Sequence, residues 1–126
     1  MDNKIKNTRG EHEMWIEMLK QTIQDIHYHH LNTKFYAEHM ALGKAYEDLS
    51  GLEDGLCEKL IGYAGRISHC KILTPSCELN NLPDCIATLG QDLKTLATKN
   101  KWSDLVNLSD SIVEVGSQTR YLLTLS

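Results

Sequence analysis

The distribution of proline constrains the fold of this chain more than any other feature of its sequence. The only two prolines, Pro75 and Pro83, lie close together and leave two long stretches without proline, residues 1–74 and 84–126. In both stretches apolar residues recur every three or four positions, which is the spacing of one face of an α-helix. Only one Phe is present, and the β-branched residues are scattered, which disfavours strands. The sequence therefore predicts an all-α fold.

The apolar pattern divides the chain into four predicted helices that form one domain. They cover residues 11–31, 35–67, 83–99 and 103–125, with a short polar tail at 1–10 and a linker at 69–82. Short links favour antiparallel neighbours, so we expect an antiparallel four-helix bundle. In the first helix Asp25 falls outside the apolar stripe. Close helix contacts or a kink would explain the glycines inside the second helix: Gly43, Gly51, Gly55 and Gly62.

Charge and hydropathy exclude several classes of partner. The formal net charge is −4, so sequence-independent DNA binding is expected to be weak or absent. The basic residues of the tail, Lys4, Lys6 and Arg9, are diluted by nearby acids and predict a solvated segment. No apolar run approaches the roughly 20 residues that span a bilayer, and no signal peptide opens the chain. We expect a cytoplasmic protein, in which the four cysteines stay reduced.

Imidazoles and carboxylates near the apolar stripes are the candidate chemistry. Asp54 and Glu58 lie four residues apart and project from one side of the second helix, whereas His39 falls on its stripe. Such groups suit iron, and also manganese or zinc, and helical bundles build di-iron sites from inward-facing Glu and His side chains. The candidate metal ligands are His30, His39, Asp54 and Glu58, with His27 and Glu53 as weaker candidates.

These candidates cannot meet within one chain. His39 and Asp54 lie fifteen residues apart on one predicted helix, which corresponds to about 22 Å. Two second helices packed antiparallel, with a two-fold axis near residues 47–48, would bring His39 of one copy to Asp54 and Glu58 of the other. His30 would lie at the same inter-subunit site as His39, because the link between the first and second helices is short. The geometry therefore predicts a homodimer, or a larger homo-oligomer, with two identical inter-subunit sites.

Simpler interpretations of the same residues stay open. A histidine on a helix stripe is commonly a hydrogen-bonded core or interface residue, and a carboxylate pair is commonly a solvated face. The cysteines allow two interpretations. His69, Cys70, Cys77 and Cys85 could bind zinc, although their spacing matches no strong zinc motif; buried thiols are the alternative.

Three short segments resemble Dps, the mini-ferritin family named for DNA-binding proteins from starved cells. The segments are HLNTK at 30–34, FYAEH at 35–39 and DGLCEKL at 54–60. The resemblance covers about 30 residues and includes the spacing from His39 to Asp54 and Glu58. It implies a ferritin-like fold and an iron-oxidising site shared across a dimer, with His30 and His39 from one chain and the carboxylates from its partner.

The sequence departs from that family at several positions. Leu31 stands in place of a Trp, Gly43 stands in place of a further carboxylate, and the DNA-binding tail is reduced to three basic residues. The segments 36–46 and 120–125 also resemble small helical proteins of tailed phages, which would imply a host cytoplasm. Two functions follow: a mini-ferritin that binds iron and oxidises Fe(II), or a non-enzymatic structural or interaction protein on the same scaffold.

Overall fold

The structure is a computed structural model that describes residues 10–68 and 76–126, and its regular elements are all helical. A short 3₁₀ turn precedes the third helix, and no strand occurs in the described ranges. The four helices are α1 (Glu11–Asn32), α2 (Tyr36–Ala64), α3 (Leu82–Asn100) and α4 (Ser103–Leu123), and the 3₁₀ turn is Leu79–Asn81. The predicted all-α class is confirmed. The tail at 1–9 lies outside the described residues.

The helices pack as neighbours in a closed ring. Helix α1 contacts α2 and α3, and helix α4 also contacts α2 and α3. Thr33, Lys34 and Phe35 join α1 to α2, and a two-residue turn joins α3 to α4. Both connections are short, so each joins two antiparallel neighbours.

Residues 65–81, which we call the crossover, connect α2 to α3, and both of their described ends, 65–68 and 76–81, contact α1. At its start the carbonyl of Gly65 accepts a hydrogen bond from Nε2 of His12, over 2.8 Å. Near its end the carbonyl of Cys77 accepts a hydrogen bond from Nε2 of His29, over 2.7 Å. His12 and His29 lie at opposite ends of α1. The crossover therefore returns the chain to the end where α2 began, and α2 and α3 run in the same direction.

One apolar core fills the space between the four helices. The apolar stripes supply its side chains, which include Trp15, Ile16, Leu19, Ile26, Leu42, Leu49, Leu56, Leu60, Ile86, Leu89, Leu93, Leu105 and Ile112. Burial of an aliphatic side chain contributes roughly 1.5–3 kcal/mol, so this core is the main source of stability. The indole N–H of Trp15 donates to the carbonyl of Leu89 over 2.9 Å, which satisfies a buried donor at the contact of α1 and α3.

Two glycines allow α3 and α4 to approach closely. A Cβ on Gly90 would lie 2.7 Å from the side chain of Val113, and one on Gly116 would lie 3.1 Å from the carbonyl oxygen of Pro83. The glycines of α2 behave differently. A Cβ on Gly51, Gly55 or Gly62 would meet nothing within 4 Å in the described part of the chain. The close contact that would explain these three glycines is therefore not made within the described part of the chain.

Buried acids of α1 hold the two ends of the crossover. Glu13, 7% exposed, accepts hydrogen bonds from the backbone N–H and the hydroxyl of Ser68. Asp25, 2% exposed, accepts from the backbone N–H groups of Ser76 and Cys77. Our expectation that Asp25 lies outside the buried stripe is wrong, because the crossover covers that side of α1.

Candidate functional site

Two stacked imidazoles mark the corner where α1 meets α2. The ring centroids of His30 and His39 are 3.9 Å apart, with an angle of 18° between the rings. Nδ1 of His30 lies 2.9 Å from the carbonyl oxygen of His39, and Nδ1 of His39 lies 2.9 Å from the carbonyl oxygen of His30. A carbonyl oxygen can only accept, so each Nδ1 carries the hydrogen and donates it. Each neutral ring then has its lone pair on Nε2.

The short link between α1 and α2 positions this pair. Thr33 ends α1 in an extended conformation, and its hydroxyl accepts a hydrogen bond from the N–H of Phe35 over 3.2 Å. The same hydroxyl donates to the carboxylate of Glu38 in the first turn of α2. The turn is therefore fixed by its own side chains. As a result, His30 and His39, nine positions apart, lie against each other.

The imidazole pair borders an open cavity of about 460 Å³. His27 also lines it, with its ring 4.4 Å from the ring of Tyr46 and 6.1 Å from that of His30. Gly43 provides the space for His30, because a Cβ at this position would lie 3.0 Å from Cε1 of the ring. The remaining lining residues are Met40, Lys44 and Glu47. Three of the candidate imidazoles thus share one cavity.

The candidate carboxylates lie elsewhere on the same helix. Asp54 and Glu58 are exposed on the outer face of α2, which is continuous from Tyr36 to Ala64. The separation of about 22 Å from His39 along a helix therefore holds. Within residues 10–68 and 76–126, no group of three or more His, Cys, Asp or Glu side chains is arranged to hold a metal ion.

Glu53 has a partner of its own. Its carboxylate Oε2 lies 2.6 Å from Nζ of Lys20 on α1, and both side chains are partly exposed. This ion pair holds the Glu53 side chain towards α1 and partly neutralises its charge. Glu53 is therefore a poorer ligand candidate than its exposed neighbours Asp54 and Glu58.

The structure corrects our expectation about the cysteines. Cys77, at the end of the crossover, is joined to Cys85 on α3 by a disulfide, so these two cysteines are not reduced thiols. Cys57 lies outside this disulfide and packs against the core. The other two members of the suggested zinc group, His69 and Cys70, lie outside the described residues.

A tyrosine–aspartate pair closes the opposite end of the molecule. The hydroxyl of Tyr63 donates to Oδ1 of Asp104 over 2.7 Å, and the ring of Tyr63 stacks on Trp102 at 4.9 Å. This hydrogen bond is the main reason that the pKa of Asp104 lies below its usual 3.8, against a smaller opposing effect of desolvation. The same bond, desolvation and the charge of Asp104 raise the pKa of Tyr63 above 10.0.

Sequence reasoning missed the polar residues that hold the crossover. His12, Glu13, Asp25 and His29 all bond to segments about 50 residues away. Their positions follow the helical repeat of α1, since Asp25 and His29 lie one turn apart. That spacing is the only local signal, and it is the same for a solvated face of a helix.

One known protein family matches most of the chain. A family described as a family of unknown function, DUF5856, matches residues 30–123. The chain belongs to this family. The DUF5856 match begins at His30 and continues through α2, α3 and α4, so it contains the His30–His39 pair and both exposed carboxylates, and it excludes most of α1. No curated protein and no solved structure matches the chain. In the described residues, no helix is long and apolar enough to cross a membrane.

Proposed function

We propose that this chain is a ferritin-like, Dps-related protein that binds ferrous iron at sites shared by two copies, and that it oxidises the bound Fe(II) with oxygen or peroxide as the electron acceptor. The topology supports the ferritin-like assignment. Two antiparallel pairs, α1 with α2 and α3 with α4, are joined by one crossover whose described ends lie at opposite ends of α1. A four-helix bundle with a single long crossover is the arrangement of ferritin-like proteins.

The reciprocal bonding of His30 and His39 is the observation that carries the metal proposal. A metal-binding histidine commonly donates its second ring N–H to a carbonyl or carboxylate, which fixes the tautomer and the direction of the ligand nitrogen. Both rings have this arrangement through Nδ1. In the described part of the chain neither Nε2 has a hydrogen-bond partner, and the adjoining cavity is open to solvent. Two oriented imidazole nitrogens are therefore available for a cation.

The carboxylate ligands come from the partner subunit in this proposal. Two antiparallel α2 helices with a two-fold axis between Glu47 and Asp48 place His39 at the level of Leu56 of the partner subunit. Asp54 and Glu58 of the partner subunit then lie half a helical turn before and after that level, on either side of His39. Both carboxylates are exposed on the outer face of α2, as such an arrangement requires. Two imidazoles and two carboxylates suit iron, and manganese and zinc are the competing metals.

The glycines of α2 support the same register. With that axis, Met40 and Lys44 lie opposite Gly55 and Gly51 of the partner subunit. Met40 is 53% exposed, and the two glycines leave open space on the outer face of their helix. Large side chains therefore meet gaps, which allows the helices to approach closely. This complementarity is independent of the metal ligands.

Gly43 and the exposed corner favour a second candidate, a non-enzymatic interaction protein on the same scaffold. A Cβ at Gly43 would press on the ring of His30, so the further carboxylate that the resemblance implies has no room without movement. Three large apolar side chains at this corner are also mostly exposed: Leu31 at 64%, Phe35 at 67% and Tyr36 at 77%. Such an exposed apolar patch is typical of a surface that binds another protein. Binding that protein would be the function if the chain does not bind iron.

Anaerobic titration with Fe(II), followed by air and absorbance in the ferric range, tests the proposal. Wild-type protein should bind iron and oxidise it faster than buffer. His39→Ala, and separately the double variant Asp54→Ala/Glu58→Ala, should each lose binding because each removes part of every site. Asp92→Ala/Glu114→Ala, which removes two exposed carboxylates from α3 and α4, is the matched control and should bind as wild type does.

Mixing the two inactive proteins tests whether the site is shared. After random exchange, half of the dimers are mixed, and each mixed dimer has one intact site and one that lacks both halves. Binding should therefore recover to about a quarter of the wild-type capacity. No recovery, despite demonstrated subunit exchange, would contradict a shared site. Wild-type protein that binds no iron would leave the interaction protein as the better candidate.

A further inference from the structure

The two cysteines of the disulfide belong to separately anchored segments. The N–H of Cys77 donates to Oδ2 of Asp25 over 3.2 Å, and its carbonyl accepts from Nε2 of His29 over 2.7 Å. Cys85 lies in the first turn of α3, next to the buried residue Ile86. Hydrogen bonds to α1 and core packing of α3 thus hold both cysteines without the sulfur–sulfur bond. The two thiols therefore stay adjacent when that bond opens.

An open groove gives small molecules access to both sulfurs. The groove has a volume of about 400 Å³ and lies between α1, the end of the crossover and α3. Both cysteines line it and both are partly exposed. Its other walls include uncharged polar side chains such as Gln21 and Thr22, and two carboxylates, Asp25 and Asp84. A peptide-sized or smaller disulfide can approach the sulfurs from this side.

We propose that Cys77 and Cys85 form a reversible thiol–disulfide site that exchanges with low-molecular-weight disulfides and so fastens the crossover to α3. The thiolate of Cys85 attacks one sulfur of the small disulfide and releases a small thiol. The thiolate of Cys77 then attacks the Cys85 sulfur of the mixed disulfide and releases the second small thiol. The two cysteines lose two electrons, and their two protons end on the two small thiols.

The bond changes what holds the end of the crossover. In the reduced protein, hydrogen bonds with Asp25 and His29 hold Ser76 and Cys77 to α1. In the oxidised protein the same segment is also tied covalently to α3. The groove wall that contains Cys77 is therefore fixed from two sides. Local opening of this segment should become rarer on oxidation.

Peptide mapping after equilibration with reduced and oxidised glutathione tests the site directly. Quenching, alkylation in denaturant and trypsin give peptide 72–94, which contains Cys77 and Cys85 and no other cysteine. With a rising fraction of oxidised glutathione, this peptide should change from doubly alkylated to unlabelled and two hydrogens lighter. Excess reductant should reverse the change. Peptide 45–59, which carries Cys57, is the internal control and should stay alkylated, and peptide 67–71 carries Cys70.

Two variants and hydrogen exchange complete the test. Cys85→Ser should leave Cys77 as a mixed disulfide with glutathione, whereas Cys57→Ser should behave as wild type. Exchange at the amides of Ser76 and Cys77 should be several-fold slower in the oxidised wild-type protein. The proposal is overturned if peptide 72–94 stays doubly alkylated throughout, or becomes linked to 67–71 instead. Equal exchange rates in the two states would overturn the fastening of the crossover.

Discussion

Asp25 shows how one side chain on α1 can organise a distant segment. Its carboxylate is buried and accepts the backbone N–H groups of Ser76 and Cys77, at 2.7 and 3.2 Å. Gln21, one turn earlier, donates to the same carboxylate over 3.0 Å. The hydroxyl of Ser76 is a fourth donor, over 3.4 Å, and a buried acceptor with four donors fixes both itself and its partners. The end of the crossover therefore depends on this residue more than on its own sequence.

Replacing Asp25 should destabilise the fold measurably. Asp25→Ala leaves two backbone donors without their acceptor, so the free energy of unfolding should fall by about 1–3 kcal/mol. Urea unfolding of the reduced protein, followed by circular dichroism, measures the change. Asp92→Ala, at an exposed position of α3, is the matched control and should stay within about 0.5 kcal/mol of wild type. Equal stability of the two variants would contradict the role of Asp25.

The Tyr63–Asp104 pair gives the molecule a defined response to acid and alkali. The pKa of Asp104 is lowered in the folded chain, so its stabilising contribution is present above pH 3.8 and is lost as the pH falls through the lowered value. The pKa of Tyr63 is raised, so its contribution is present below pH 10.0 and is lost as the pH rises through the raised value. Near neutral pH the contribution of both groups is constant.

Removing the Tyr63 hydroxyl should shift the titration of its partner. In Tyr63→Phe the main cause of the lowered pKa of Asp104 is absent, so the pKa should rise toward 3.8. Carbon-detected NMR of the Asp104 carboxyl group measures this change. Tyr121→Phe, at an exposed tyrosine of α4, should leave the midpoint of Asp104 where it is in wild type. An unchanged midpoint in Tyr63→Phe would show that the hydrogen bond does not control Asp104.

Single residues differ in how far their sequence predicts their role. The spacing of His30, His39 and the short link predicts that the two imidazoles lie near each other, and the structure agrees. The reciprocal Nδ1 bonds depend on the exact path of the turn, which spacing alone does not contain. The burial of Asp25 depends on a segment 51 residues later, so no local pattern could reveal it.

At the level of elements, helix α2 is unusual because its outer face carries small residues with no neighbour. Gly51 and Gly55 have open space where a side chain would lie, within the described part of the chain. A glycine inside a helix costs about 1 kcal/mol relative to alanine. In an isolated chain no packing interaction at these glycines offsets this loss of helix stability within the described residues. A second helix packed against this face would benefit from the open space.

Alanine at these glycines should therefore have opposite effects on the chain and on its dimer. In Gly51→Ala and Gly55→Ala the helix itself should gain up to about 1 kcal/mol, while the paired helices are pushed apart. Sedimentation should show weaker dimers, and thermal unfolding of dilute protein should show a more stable chain. Gly62→Ala is the matched control, because in the proposed register it lies opposite the link before the partner's α2. Normal dimers in all three variants would contradict the register.

The ends of the helices follow from sequence better than their surroundings do. Pro83 falls in the first turn of α3, as proline in that position favours. Helix α3 ends where Lys101 adopts a left-handed conformation with φ of 63°. Glycine usually occupies this position, so a lysine there does not predict the end of a helix. Helix α2 ends at Ala64, three residues before the predicted Ile67, because Gly65 has φ of 105°.

For the whole molecule, the helical class could be predicted but the path of the chain between α2 and α3 could not. Proline and polar residues mark residues 69–82 as a linker, yet they do not say where it runs. The contacts of His12 and His29 place its two described ends on α1, and these contacts join residues about 50 positions apart. The candidate site shows the same limit, because its carboxylate half is assigned to a second copy of the chain.

The direction of the crossover also decides where the two described ends of the chain lie. Because the crossover returns the chain to the end where α2 began, α1 and α4 run in the same direction. Gly10 and Ser126 are therefore on opposite tips of the molecule, separated by the length of a 21-residue helix, or about 30 Å. An antiparallel pair of such molecules places Gly10 of each chain at the same tip as Ser126 of the other. Labels at Gly10 of one copy and Ser126 of the other would then lie at the same tip, whereas labels at both positions of one copy would be about 30 Å apart.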